Sequence, residues 1–291
     1  MALPKCALFL ALVLGMSVAS PSLGYDPERH GKYTEAAFTL YHDHCKPALL
    51  PCESVGSIVE GAKAEDALTL TRACNWHFYN REGQVRWRGV NRNLDAVFRQ
   101  RIRKLEKQLK TRKSHPSEIY KVAGQVLHYI QDMTVPAHVV PIYHGPGHKD
   151  LVDGYSPDFC HVNSLRSAVQ QELGLDLEKQ GCERLRPKNP KVNSSDFFKS
   201  LLNDTAQTTL RAIGQTKHPD AGSERWLCFW GSSRKPNGFA NYGPCLFKAG
   251  INPESCGGDA ALDRFYQDRY RQTLEATMRV LLYLEGRVSR Q

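Results

Sequence analysis

The chain has 291 residues, 41% of them apolar and 24% charged, with a formal charge of +9. These are the proportions of a globular protein, which excludes a disordered chain, and no collagen, coiled-coil or solenoid period is visible. After the first 25 residues no stretch is apolar enough to form a membrane-spanning helix.

The N-terminus, MALPKCALFLALVLGMSVASPSLG, places one lysine before an apolar run from Cys6 to Val18 and ends in small residues. That is the pattern of a secretory signal, too short for a membrane anchor. Two cuts fit, after Ala19 and after Gly24, and composition slightly favours the first. Either removes Cys6 and leaves Cys45, Cys52, Cys74, Cys160, Cys182, Cys228, Cys245 and Cys256. An even set of cysteines in an exported chain implies up to four disulfides, and the local pairs Cys45–Cys52 and Cys228–Cys245 are the expected ones. Without a C-x-x-C pair, thiolate zinc sites are set aside.

Beyond the signal the chain reads as helices. The first runs from Glu28 to His44, with Tyr33, Ala37 and Leu40 on one face, and the second from Gly56 to Leu70. Gln84 to Arg88 is at most a short hairpin strand. Asn93 to Lys113 carries Phe98, Ile102, Leu105 and Leu109 at helical spacing. A further helix opens at Ser117, after Pro116, and ends near Met133. Ser164–Glu172, Ser195–Ile213 and Asp259–Val288 follow, the last with a stripe of Tyr270, Leu274, Met278 and Leu281. Proline and glycine cluster at 141–157, 217–222 and 231–258, which read as tied loops. No break resembles a domain boundary, so residues 25–291 are expected to form one all-α domain stapled by disulfides.

Between Arg99 and Lys113 there are eight basic residues and one acidic residue, Glu106. Arg99, Arg103, Lys107 and Lys110 share a face. Such a face is usually solvated surface; read functionally, it fits an anionic partner, either an anionic bilayer or a nucleic acid backbone.

The strongest chemical signal is LHYIQDMTVPAH, residues 127–138. His128 and Asp132, four apart on a helix, project from one face as two ligands of one metal should. They sit among Val126, Leu127, Ile130 and Met133, where ionisable side chains need partners. Pro136 ends the helix, and His138 follows in an irregular turn. His144, His148, Asp150 and Asp153 lie downstream. Upstream are Glu65 and Asp66 on the second helix, the run Asn75-Trp76-His77-Phe78-Tyr79, and His30 within RHGKYTEAA.

His-x3-Asp-x5-His, with the upstream aspartate and HFY, resembles the zinc-dependent phospholipase C family, a superfamily shared with the fungal zinc nucleases. The resemblance covers His30 to about Asp153. It implies an all-α secreted phosphodiesterase holding up to three zinc ions. By that resemblance one zinc takes Asp66, His77, His128 and Asp132. Another shares Asp132 and takes His30 with the α-amino and carbonyl groups of the mature N-terminal residue. The nucleases place that residue five positions before the histidine, which is Tyr25 here and moves the expected cut to Gly24–Tyr25. Tyrosine stands where the families carry tryptophan. The remaining zinc takes His138, an imidazole from His144 or His148, with His161 a distant third, and the carboxylate of Asp153. The families space that last pair as His-x3-Glu or His-x3-Asp, from which this loop departs.

Imidazoles and carboxylates without thiolate suit zinc, with manganese a second fit. The resemblance also gives Asp66 a role as general base. Trp76, Phe78, Tyr79 and Tyr143 are candidates either for lining the substrate cleft or for core packing. Three readings compete: a secreted phospholipase C acting on glycerophospholipids, a secreted single-strand nuclease or nucleotidase, and a non-catalytic secreted protein that keeps the fold. The nucleases show a Gly-Gly-Asn stretch at the second site; after His138 this chain has His144-Gly145-Pro146-Gly147, which favours phospholipase C. Asn193-Ser-Ser195 and Asn203-Asp-Thr205 are glycosylation sequons, meaningful in a eukaryotic source.

Overall fold

A computed structural model describes residues 27–66, 77–79, 86–87, 90–91, 93–111, 115–142, 162–215, 230 and 260–288. Among these the chain is mostly helical, as the all-α expectation requires. In chain order the elements are α1 (Pro27–His44), α2 (Ser54–Ala64), the two-residue strands β1 (Arg86–Trp87) and β2 (Val90–Asn91), α3 (Asp95–Lys110) and α4 (Pro116–Asp132). They continue with α5 (Pro136–Val139), α6 (Val162–Gln180), a 3₁₀ turn at Cys182–Leu185, α7 (Ser194–Gln215) and α8 (Ala260–Val288). The hairpin expected near Gln84–Arg88 is present as an antiparallel pair, Arg86 opposite Asn91 and Trp87 opposite Val90. None of the helices among the described residues is long and apolar enough to cross a membrane. The signal segment and the Cys228–Cys245 pair lie outside the described residues.

The apolar stripes read from the sequence face inward. Tyr33, Ala37 and Leu40 of α1, Phe98, Ile102 and Leu105 of α3, and Tyr270, Leu274, Met278 and Leu281 of α8 are all buried. Helix α4 is buried around most of its circumference, including Tyr129, Ile130, Gln131 and Asp132, and is the central element. Its start follows from local chemistry: Pro116 occupies the first turn, where a missing N–H costs nothing, and the ring of His115 accepts from the Ser117 amide at 3.4 Å.

Helix α2 crosses α4 at two facing glycines. A Cβ built on Gly61 would lie 1.9 Å from the carbonyl oxygen of Lys121, and one on Gly124 would lie 2.0 Å from that of Ile58. Only hydrogen at both positions lets the two backbones approach this closely.

The cysteine pairing differs from the local one expected. Cys45 at the end of α1 bonds Cys182, 137 residues away, and Cys52 is a free, exposed thiol. The helices bring the two distant segments together, a tertiary fact that sequence spacing does not carry. Closing so long a loop restricts the unfolded chain strongly. Cys45→Ser should therefore lower the unfolding free energy by about 2–5 kcal/mol, read from denaturant titrations. An unchanged midpoint would show that the bond adds no stability.

Candidate metal centre

Six of the expected ligands lie in the described residues, and the structure brings all six together. His30 comes from the first turn of α1, Asp66 from just beyond α2, His128 and Asp132 from the last two turns of α4, and His138 from α5. His77 comes from the segment 77–79. Asp66 was expected on a helix reaching Leu70, but α2 ends at Ala64; the Asp66 amide still bonds the Lys63 carbonyl at 3.2 Å, a last tightened turn. His138, expected in an irregular turn, sits on the one-turn helix that Pro136 opens.

The two carboxylates lie between the imidazoles. Asp132 turns Oδ1 to His30 Nε2 at 3.4 Å, and Oδ2 to His77 Nδ1 at 3.1 Å and His128 Nε2 at 3.3 Å. His138 Nδ1 lies 3.7 Å from the same Oδ2. Asp66 repeats the arrangement, with Oδ2 3.6 Å from His30 Nε2 and Oδ1 3.8 and 3.7 Å from His77 Nδ1 and His128 Nε2. Donors around one zinc at about 2.0–2.2 Å are separated by roughly 3–3.5 Å, close to these distances. In two overlapping groups the ligand atoms all lie within 4.8 Å of one another, a spacing that could hold a metal ion: His30, His128 and Asp132, and Asp66, His77 and His128.

Hydrogen bonds outside the cluster set which ring nitrogen faces inward. His128 Nδ1 donates to the Ala62 carbonyl at 2.8 Å, leaving Nε2 as the lone-pair nitrogen. His30 Nδ1 donates to Gln131 Oε1 at 2.7 Å. Gln131 is held by its own amide, which donates to Thr34 Oγ1 at 3.2 Å and Thr277 Oγ1 at 3.1 Å. His138 Nδ1 donates to the His77 carbonyl at 3.1 Å, and the Tyr79 amide donates back to the His138 carbonyl at 2.9 Å, which fastens 77–79 to α5. Such outer bonds are how proteins orient imidazole ligands to metals.

Sequence reasoning passed over this outer layer. Gln131 had a signal, a polar residue three places after His128 on a helix that is otherwise buried. Glu65 was named beside Asp66 but given no role; Arg101 clamps it at 2.8 and 3.2 Å, and Tyr129 donates to it. Arg101 is thus one basic residue of its segment that turns inward, while Arg99, Arg103, Lys107 and Lys110 are exposed as expected. Phe78 and Tyr79 are buried, so core packing describes them rather than cleft lining. Tyr25, His144, His148 and Asp153, together with Trp76, Tyr143 and His161, lie outside the described residues.

The cluster is fully buried, and Asp132 faces only imidazoles among the described residues. Neither of its oxygens accepts a hydrogen bond of ordinary geometry. Buried carboxylates in that state call for a cation. Imidazole and carboxylate donors, with no thiolate among them, fit a divalent metal ion.

The protonation states agree with that use. Burial opposes ionisation of Asp132, but His138 and His128 outweigh it and hold the carboxyl well below the usual range. Burial pushes His77 down to about 4, against the pull of Asp132, so its ring is neutral and able to ligate. Burial also opposes charge on His128, yet Asp132 and Asp66 prevail and raise its pKa. A metal must displace that proton. Divalent-metal affinity should therefore rise with pH until the raised pKa of His128 is passed, then level. Conversely, proton binding by His128 stabilises the metal-free fold fully below its unfolded pKa of about 6.5, and this contribution fades as pH rises through the raised value. Calorimetry in buffers of different ionisation enthalpy counts the released proton; none released below the raised pKa would remove His128 from the ligand set.

No family model, no curated protein and no solved structure matches this chain.

Proposed function

We propose that the protein is a secreted zinc-dependent phosphodiesterase of the phospholipase C type, releasing diacylglycerol and a phosphorylated headgroup from glycerophospholipids. One observation carries the reading: both Asp132 and Asp66 turn one oxygen to His30 and the other to the His77–His128 pair. Carboxylates placed in this way suit adjacent metal ions sharing ligands. His30 with Asp132 would hold one zinc, and Asp66, His77, His128 and Asp132 another. His138, with His144 or His148 and Asp153, would hold a third. Zinc bound there supplies Lewis acidity toward a phosphoryl oxygen and lowers the pKa of a water.

The chain's own contribution is to fix the imidazole tautomers through Ala62, Gln131 and the His77 carbonyl, and to hold Asp132 ionised in a buried setting. Asp66 takes the general-base role that the resemblance gives it. The exposed basic face of α3, Arg99, Arg103, Lys107 and Lys110, would rest against an anionic bilayer, the surface on which a lipid substrate is met. Export fits the Cys45–Cys182 bond, since disulfides persist in oxidising compartments.

The test is to assay the purified mature protein with zinc on phosphatidylcholine micelles and on single-stranded DNA. Diacylglycerol release is the expected result. Cleavage of DNA alone would assign the nuclease reading, which shares the His-x3-Asp-x5-His spacing. Turnover of neither would assign a non-catalytic protein that keeps the fold.

A further inference from the structure

A second group of side chains, sharing none of the six cluster residues, stands where α1, α6 and α8 meet. Arg166 of α6 is 7% exposed. Its Nε donates to the Tyr266 hydroxyl at 2.9 Å, and its guanidinium carbon lies 5.4 Å from the ring centre of Tyr33 and 5.9 Å from that of Tyr270. Among the described residues its buried Nη2 has no acceptor. Among the described residues no carboxylate pairs with it.

Two other inward-turned arginines have a carboxylate partner, while the buried Arg269 meets the Thr209 hydroxyl and the Gln272 side-chain oxygen. Arg101 is clamped by Glu65, and Arg186 meets the buried Glu285 at 2.8 Å. A guanidinium taken out of water normally has such a partner. Around Arg166 the nearby groups are the Tyr266 hydroxyl, which accepts from Nε, and the rings of Tyr33 and Tyr270. Gln170, one turn along α6, donates to the Tyr270 hydroxyl at 2.7 Å. That oxygen accepts here, and among the described residues no acceptor takes its own proton. The ring faces of Tyr33 and Tyr270 favour the cation but supply no in-plane acceptor for Nη2.

We propose that Arg166 and Tyr270 form a binding site for a phosphate-type oxyanion. The guanidinium fork matches the spacing of two oxygens on one centre, a fit that a spherical halide lacks. The Tyr270 hydroxyl adds a third donor, and the aromatic walls keep the site dry enough for the charge to count. The site requires no metal, and the proposal stands or falls apart from the phosphodiesterase reading.

The experiment is calorimetric titration of the full mature chain with inorganic phosphate, before and after metal chelation. Binding should survive chelation. Arg166→Gln should weaken it about tenfold or more, the loss expected for a hydrogen bond to a charged group. Tyr270→Phe, which keeps the ring and the fold, should weaken it by a smaller factor of about three to ten. If Arg166→Gln does not fold, Tyr270→Phe decides alone. Binding that vanishes on chelation would place the phosphate on the His/Asp cluster and overturn the proposal. So would an affinity unchanged in Tyr270→Phe, or chloride binding as tightly as phosphate.

Discussion

Asp132→Asn is expected to cost at least roughly a hundredfold in the proposed phosphodiesterase activity and to leave the protein short of metal. The substitution keeps size and shape but removes the charge from both oxygens at once. Oδ1 faces His30, and Oδ2 faces His77, His128 and His138, so one change reaches both sides of the cluster. Asp66 would then be the one carboxylate left among the six gathered residues to balance the positive charge of bound ions. Changing any one imidazole should cost less, because each ring offers a single nitrogen inward. Metal content measured alongside activity separates the site from the chemistry: an asparagine variant with parental metal content and parental activity would remove Asp132 from the centre.

Gly124→Ala should unfold or greatly loosen the protein, by roughly 3 kcal/mol or more, although it adds one methyl group and improves intrinsic helix propensity. The new carbon would meet the Ile58 carbonyl oxygen at 2.0 Å, the Ala62 amide nitrogen at 2.8 Å and the Gly61 Cα at 2.9 Å. All three are backbone atoms of α2, so no side chain can swing aside, and the helices must separate. Separation breaks the bond from His128 Nδ1 to the Ala62 carbonyl and draws Asp66 away from His128. Stability and metal affinity should therefore fall together. Gly56→Ala on the same helix is the control. Its Cβ would meet nothing within 4 Å, and the change should be neutral or stabilising by up to about 1 kcal/mol. A Gly124→Ala protein as stable as the Gly56→Ala protein would show that the close crossing is not required.

How much of this was legible beforehand differs between the two layers of the site. The inner layer was readable because its strongest pair is local: His128 and Asp132 share a helix face by spacing alone, and an apolar neighbourhood makes a bare charge there improbable. The other four inner residues were placed by resemblance to a family motif rather than by periodicity. The outer layer was not read. The carbonyl of Ala62 carries no side-chain signature, and the Glu65–Arg101 clamp joins residues 36 apart whose proximity depends on how α2 and α3 pack. The Cys45–Cys182 bond failed for the same reason, since eight cysteines constrain the count of pairs but not their topology. Gly61 and Gly124 did leave a trace. Two glycines inside apolar helical stretches each forgo about 1 kcal/mol of helix propensity, which signals a compensating approach of backbone to backbone.

The hydroxyl of Thr277 has a consequence for the order of events in the life of the chain. Through the Gln131 amide it helps hold the orientation of His30, yet it belongs to α8, far downstream of every gathered residue. The six gathered ligands lie between residues 30 and 138, so a ribosome will have released all of them long before α8 emerges. An unfinished chain would carry the ligands without the brace that orients one of them. Tight metal capture would thereby wait until α8 has been made and has docked. For a chain threaded outward during synthesis, the ion would then be acquired at the destination rather than at the source.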